Sequence, residues 1–202
     1  MLFYGSSVFG LSTSTADVSE LVAYVKRQPA GLNFASASSG GGAHIAGEMF
    51  EKAANLKLVH VPHKGSGPAR TDLIAGHISL MFDNIGSSLP SARSGQLRAL
   101  AVTGAKRSPS APELPTMAEA GIEEVVIDTW YAIYAPAGTP PSIVQKLNAE
   151  IVRVLKLPQV VAEFKTMGLV IVAGTSLELA YRMKSDVGRY AKTIADASIK
   201  VD

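Results

Sequence analysis

The chain has 202 residues, enough for one sizeable core or for one domain and part of another. Hydrophobic residues make up 47% and charged residues 18%, which excludes a disordered chain. A net charge of +2 with no Lys/Arg cluster gives no footprint for nucleic acid, and the lack of cysteine excludes disulfides and thiolate metal sites.

No stretch approaches the roughly 18 apolar residues of a membrane span. The opening MLFYGSSVFGLSTSTADVSEL has neither a positive n-region nor a sustained apolar h-region, so it does not read as a signal peptide. Val18, Leu21, Val22 and Val25 fall on one helical face, with Asp17 and Glu20 placed to cap the start. Pro29 ends that helix, and Leu32 to Ala35 reads as a short strand. The Gly/Ser-rich run SASSGGGAH follows, then a helix with Ile45, Ala46, Met49, Phe50 and Ala53 on its apolar face. Leu56 to Val61 is a strand, HKGSG a loop, Ala69 to Ala75 a helix and Ile78 to Asp83 a strand. A helix around Ser88 to Arg93 leads to a strand at Leu97 to Thr103. Alternating strands and helices, with continuous apolar runs in the strands, predict an α/β fold with a mostly parallel sheet covered on both faces.

Composition changes after Thr103. AKRSPSAPELPT is a Pro/Ser/Ala loop, and Pro115-Thr116 opens a short turn ending at Gly121. VVIDTWYAIYAPAG reads as a long strand bridging two lobes. The remainder is helical: Pro140 and Pro141 suit a first turn, and Ile143, Leu147, Ile151, Val154 and Leu155 form a stripe. Pro158 starts another helix that Gly168 stops. Thr175 and Glu178 make a capping box for a last helix with the stripe Ala180, Met183, Val187, Tyr190, Ala191 and Ile194.

The chemistry concentrates at strand ends. Ser38-Ser39-Gly40-Gly41-Gly42 between a strand and a helix offers backbone amides and hydroxyls to an anion, although the run reads equally well as a flexible capped loop. Asp83 and Asn84 lie at the carboxyl end of a strand, where open α/β sheets bind ligands, or serve as an Asx cap of the next helix. His44 and Glu48 are four apart and His60 and His63 flank a proline, but no third ligand completes a metal site. No cofactor motif is present: the glycine run lacks the Lys-Ser/Thr of a phosphate loop, and no Gly-x-Ser-x-Gly elbow occurs. Ser39, His44 and Asp83 can be arranged on paper as a triad, as in any chain of this size. Trp130 and Tyr131 read as core.

Four segments occur in order: LNFASASSGGGAHIAGEMF, LVHVPHKGSGPARTDLIAGHISLMFDNIGSSLP, GQLRALAVTGAKRSPSAPELPTMAEAG and TWYAIYAPAGTPPSIVQKLNAEI. Together they resemble the substrate-binding proteins of tripartite tricarboxylate transporters, the Bug receptors, from about Ser14 to Asp202. The resemblance implies a periplasmic receptor of the type II binding-protein fold, with two lobes closing like a Venus flytrap on a small carboxylate that a membrane permease then takes. It implies no enzyme activity and no cofactor.

By the same resemblance Ser38, Ser39, Gly40, Gly41, Gly42 and His44 belong to one cleft motif. Phe82, Asp83 and Asn84 belong to a second, and Lys64 and Gly65 to a third, where His63 replaces the family's usual tyrosine. The family layout puts residues 1–127 in the second lobe and 128–202 in the hinge strand and C-terminal helices of an incomplete first lobe; the family's first strand and first Gly-rich loop have no counterpart here. Self-association through residues 128–202 and weak carboxylate binding are the resulting expectations. The alternatives are a remnant or self-associating module that binds no ligand, and a hydrolase.

Overall fold

The computed structural model describes residues 15–199 and the backbone of residues 2–11. In chain order come β1 (Leu2–Leu11), α1 (Val18–Lys26), β2 (Leu32–Ser36), α2 (Gly42–Ala53), β3 (Leu58–Pro62), α3 (Ser66–Ile74) and β4 (Leu80–Asn84). Then follow α4 (Ile85–Arg93), β5 (Arg98–Val102), β6 (Asp128–Ala132), α5 (Pro141–Leu155), α6 (Pro158–Thr166), β7 (Val170–Ile171) and α7 (Ser176–Asp196). Local chemistry sets several of these boundaries. The Asp17 carboxylate accepts from the Glu20 amide at 2.8 Å, and the Glu20 carboxylate reaches back to the Ala16 amide at 2.7 Å. Thr175 and Glu178 form the expected reciprocal capping box at the start of α7.

The strand order is β3-β2-β4-β1-β5. β2 runs parallel to both β3 and β4, with Ser36 beside Pro62 and Phe34 beside Leu80. The expected parallel α/β core is therefore present, with one addition. β1 lies between β4 and β5 and is antiparallel to both, Ser7 facing Asn84 and Val8 facing Val102. The same strand serves a second set of partners: Leu2–Ser6 pairs with β6, and Phe3 and Tyr4 pair with β7. Ten extended residues reach about 33 Å, enough to cross from one group of strands to the other.

Both faces of the β2–β4 region are covered, as parallel strands require. Phe34, Leu80 and Phe82 point to one side, into a cluster with Val18, Leu21 and Val25 of α1 and Ile45, Ala46 and Phe50 of α2. Ala35 and Met81, one residue out of phase, point to the other side with Ala69 and Leu73 of α3. The chain leaves this body through Val125 and Ile127, both buried in the first cluster, before β6 crosses to the C-terminal helices. The long strand expected here is five residues of β6, since only Asp128–Ala132 finds a partner strand.

The helices after β6 leave much of their apolar stripes open. Of the α5 stripe, Leu155 is buried, but Ile143, Leu147 and Val154 are exposed. On α7 Met183, Val187 and Ile194 are exposed, while Leu179 and Asp186 are buried. The helical period found the apolar face, but the described residues supply no layer to cover it. A polar cluster holds α7 instead. Asp186 accepts from Trp130 Nε1 and from Arg182 Nε, both at 2.8 Å, and Arg189 lies 3.5 Å from its second oxygen. Burial raises the pKa of Asp128 beside this cluster. The C-terminal part of α7 returns to the first body, where Tyr190 packs on the main cluster and Lys52 pairs with Asp196. A second junction lies at Gly86, where an added Cβ would stand 1.9 Å from the Met167 carbonyl oxygen, so the backbones touch and only glycine fits.

Candidate functional site

Three loops meet at one end of the sheet because β2, β3 and β4 are parallel neighbours. They are Ala37–Gly41 after β2, His63–Gly65 after β3, and Asn84 at the end of β4. Backbone bonds join the first two: His63 N–H donates to Ser36 O at 3.0 Å and Gly65 N–H to Ala37 O at 2.8 Å. The glycine-run residues and the Asp83-Asn84 pair thus lie at the same end of the sheet.

The first loop turns tightly. Gly40 has φ +70°, a left-handed conformation that a side chain would strain. Ser38 is exposed and Ser39 half-buried. A Cβ on Gly41 would stand 2.6 Å from the Ser38 hydroxyl. Gly41 then acts as the N-cap of α2 without a side-chain bond, and Ile45 N–H makes the first helical bond to Gly41 O at 3.1 Å. The amides of Gly42, Ala43 and His44 precede that bond and point out of the helix start, where the dipole favours an anion. The Gly40 amide belongs to a different partner: it donates to His44 Nδ1 at 3.0 Å. This corrects the expectation that the Gly40 amide faces the cleft.

His44 is buried, and its Nε2 lies 3.4 Å from a Glu48 oxygen. Burial lowers the pKa of His44 and raises that of Glu48, with Glu51 adding to the latter. His44 is thus a support behind the turn. It makes no relay with Ser39 and Asp83, because its ring nitrogens face Gly40 and Glu48 while Asp83 faces serines. The triad arrangement is absent among the described residues.

Asp83 is 3% exposed. Its carboxylate accepts from Ser66 Oγ at 2.6 Å, Ser87 Oγ at 2.8 Å and Ser88 Oγ at 2.6 Å, and lies 3.7 Å from Arg70 Nη1. It ties β4 to α3 and α4, and its negative charge would repel a carboxylate. Phe82 is 0% exposed and sits edge-on to Phe34 and Phe50, so it is core and lines no cleft. Both positions correct the sequence expectation. Asn84 stays at the site: it is the N-cap of α4 without making a side-chain cap bond, and it lies close enough to Tyr131 to affect its hydroxyl. The Asx-cap alternative is therefore not realised.

Lys64 is exposed, and the half-buried Gly65 is the N-cap of α3. His63 is turned to other partners, Asp72 at 2.9 Å and the Val61 carbonyl at 3.1 Å. Among the described residues no group of three or more His, Cys, Asp or Glu side chains is placed to hold a metal.

Two residues that sequence reasoning missed face this end of the sheet from β6. Tyr131 is 45% exposed, and its pKa is raised by burial and then by the Asp83 charge, so its hydroxyl keeps its proton. Thr129 Oγ1 lies 3.4 Å from where a Gly42 Cβ would stand. Trp130, between them, points to α7. Period-two alternation was the available signal, because it separates Thr129 and Tyr131 from Trp130.

Comparison with known proteins bears on the family and the fold. The family model for the tripartite tricarboxylate transporter family receptor matches residues 10–199. A curated UPF0065 protein from the tcbD-tcbE intergenic region of Pseudomonas sp. strain P51 is 39% identical over 181 residues, covering 89% of this chain and 54% of its own. Protein BugT of Bordetella pertussis is 35% identical over 181 residues, covering 90% and 56%. The chain thus spans about half the length of these curated relatives. Among solved structures, the Rpa4515 protein of R. palustris with adipate superposes with TM-score 0.91 at 29% identity, over 98% of this chain and 67% of that one. MatC from Rhodopseudomonas palustris with bound malate gives 0.86 at 26%, over 96% and 67%. The periplasmic binding protein BugD gives 0.87 at 28%, over 98% and 68%.

Proposed function

Because the chain belongs to the tripartite tricarboxylate transporter family of receptors, we propose that it captures a small carboxylate outside the cytoplasm for a membrane permease. The reading is of a periplasmic receptor and not of an enzyme. Its main support is the group of outward-pointing amides at Gly42, Ala43 and His44, with Ser38, Asn84 and Tyr131 around them. Such a set donates to an oxyanion and carries no nucleophile held by a base. Similar proteins solved with adipate and malate support the ligand class. In this proposal residues 15–127 with the second half of β1 form one lobe, residues 128–202 with the first half of β1 contribute to the other, and Ser38, Ser39, Gly41, Gly42, Lys64 and Asn84 are the contacts. Calorimetric titration of the purified chain with adipate, malate and a monocarboxylate tests it. Saturable binding of one of them supports the reading, and heats no larger than dilution with all three count against it for this chain.

A second reading rests on a separate observation. Ile133, Tyr134, Leu147 and Met183 are all exposed, and Ile133, Tyr134 and Leu147 line one apolar hollow between β6 and α5. Contiguous apolar surface of this kind marks a contact face. We therefore propose that the 202-residue chain self-associates through residues 128–202. Light scattering decides it, and a monodisperse monomer at all concentrations would remove the claim.

A further inference from the structure

Behind the turn after β2, two imidazoles lie face to face. The rings of His44 on α2 and His60 on β3 stack with centroids 3.5 Å apart and planes 14° apart. Phe34 of β2 closes on the pair, its ring 4.9 Å from His60 and 6.2 Å from His44. The hydrogen bonds fix which nitrogens carry protons. His44 Nδ1 accepts from Gly40 N–H, so His44 holds its proton on Nε2, facing Glu48. The single hydroxyl proton of Ser36 goes to the Ser38 carbonyl at 2.8 Å. The 2.6 Å contact between Ser36 Oγ and His60 Nε2 must then be donated by His60. His44 is neutral in this arrangement, burial lowers His60 so that it too is neutral near pH 7, and each ring is tied to the turn, one through Gly40 and one through Ser36.

We propose that neutral His44, stacked on His60, is the positioning residue of the Ser38–Gly42 turn, and that one added proton on the stack releases the turn. A proton on His44 Nδ1 sets one donor against another at Gly40, and the bond that holds the left-handed residue is lost. A proton on His60 places a cation against the face of His44 in a buried site. The groups facing the pair from neighbouring elements are Glu48 on α2, with Glu51 next to it, and His63 on the loop after β3, itself bound to Asp72. Burial, and then the Glu51 charge, raise the pKa of Glu48. Burial is the main cause lowering both histidines, and the His44 and His63 charges add to it at His60, which falls to about 4. For binding, the proposal rests on the reading that this turn holds the carboxylate.

The test follows the Gly40 amide and the imidazole nitrogens by NMR on the full chain labelled with nitrogen-15, from about pH 8 down through the His60 value of about 4. At the high end both rings should show the Nε2–H tautomer. The Gly40 amide should move together with the His44 nitrogens, with a midpoint below the ordinary histidine value of about 6.5. In His44→Asn the side-chain oxygen takes the place of Nδ1 and does not titrate, so the Gly40 signal should lose its pH dependence. In His44→Ala it should be displaced at every pH. An Nδ1–H tautomer at His44 overturns the proposal even if a variant fails to fold, and so does a Gly40 titration that persists in His44→Asn. Malate affinity at two pH values separates the two readings. The fall on acidification should be clearly smaller in His44→Asn than in the parent, and an equal fall in both would count against the proposal. If neither protein binds malate, the carboxylate reading fails for that ligand, while the Gly40 titration still decides the positioning role.

Discussion

Residues 15–127 and 128–199 solve the burial problem in opposite ways. Among the described residues, Leu155 and Leu179 are the only buried apolar side chains beyond position 127, and Val59 and Ile74 are the only large exposed ones before it. The first region closes its sheet between α1 and α2 on one side and α3 on the other, so nearly every apolar face has a partner. The second has helices of equal regularity, with caps just as good, but a three-strand ribbon of β7, β1 and β6 behind them. What anchors α7 is charge and hydrogen bonding at Asp186. Good local helix signals therefore say nothing about whether a helix face is covered.

The largest effects should separate the two regions by mechanism. Phe34→Ala removes a 0% exposed ring from the main cluster and should cost about 3–5 kcal/mol in urea unfolding. A cost under about 1 kcal/mol would mean that the first region is as loosely packed as the second. Asp186→Ala should cost about 3 kcal/mol, because it leaves Arg182 and the Trp130 N–H without their acceptor in a buried place. If that variant melts like the parent, the polar anchor of α7 is misassigned.

Acidification should act with opposite sign through the stacked histidines and through Asp128. His44 and His60 have folded-state pKa values below their unfolded ones, so the unfolded chain binds more protons. Their contribution is present above about pH 6.5 and is lost as pH falls toward the His60 value of about 4. Asp128 has a raised folded-state pKa, so its contribution is present at low pH and is lost as pH rises through that value. Unfolding monitored by Trp130 fluorescence against pH should show the histidine slope flattened in a His44→Asn, His60→Asn double variant and retained in Asp128→Asn. An unchanged slope in the double variant would place the acid sensitivity elsewhere. The smallest effect is expected at Leu177, 80% exposed at the start of α7: Leu177→Ser should change stability by no more than about 0.5 kcal/mol.

What residues settle among themselves within a few positions was readable from the chain. Asp17 with Glu20 and Thr175 with Glu178 announced two helix starts, because a capping bond spans only three residues. Apolar runs bounded by glycine and proline announced β2 to β5, and the Ser38–Gly42 run announced a turn at a helix start. The partners of those elements were not readable, because pairing and packing join residues that the sequence keeps far apart. LFYGSSVFGL carries two short apolar runs around Gly-Ser-Ser, and nothing local shows that its halves pair with different strands. Asp83 looked like a ligand group until serines 17 residues before it and 4 and 5 after it used up its oxygens. Periodicity located the apolar stripes of α5 and α7 but could not show whether another layer meets them, since coverage depends on the neighbours a helix has in three dimensions and not on its own repeat. The donor set at Gly42, Ala43, Asn84 and Tyr131 exists only because parallel pairing brings the ends of β2 and β4 together and β6 passes over them.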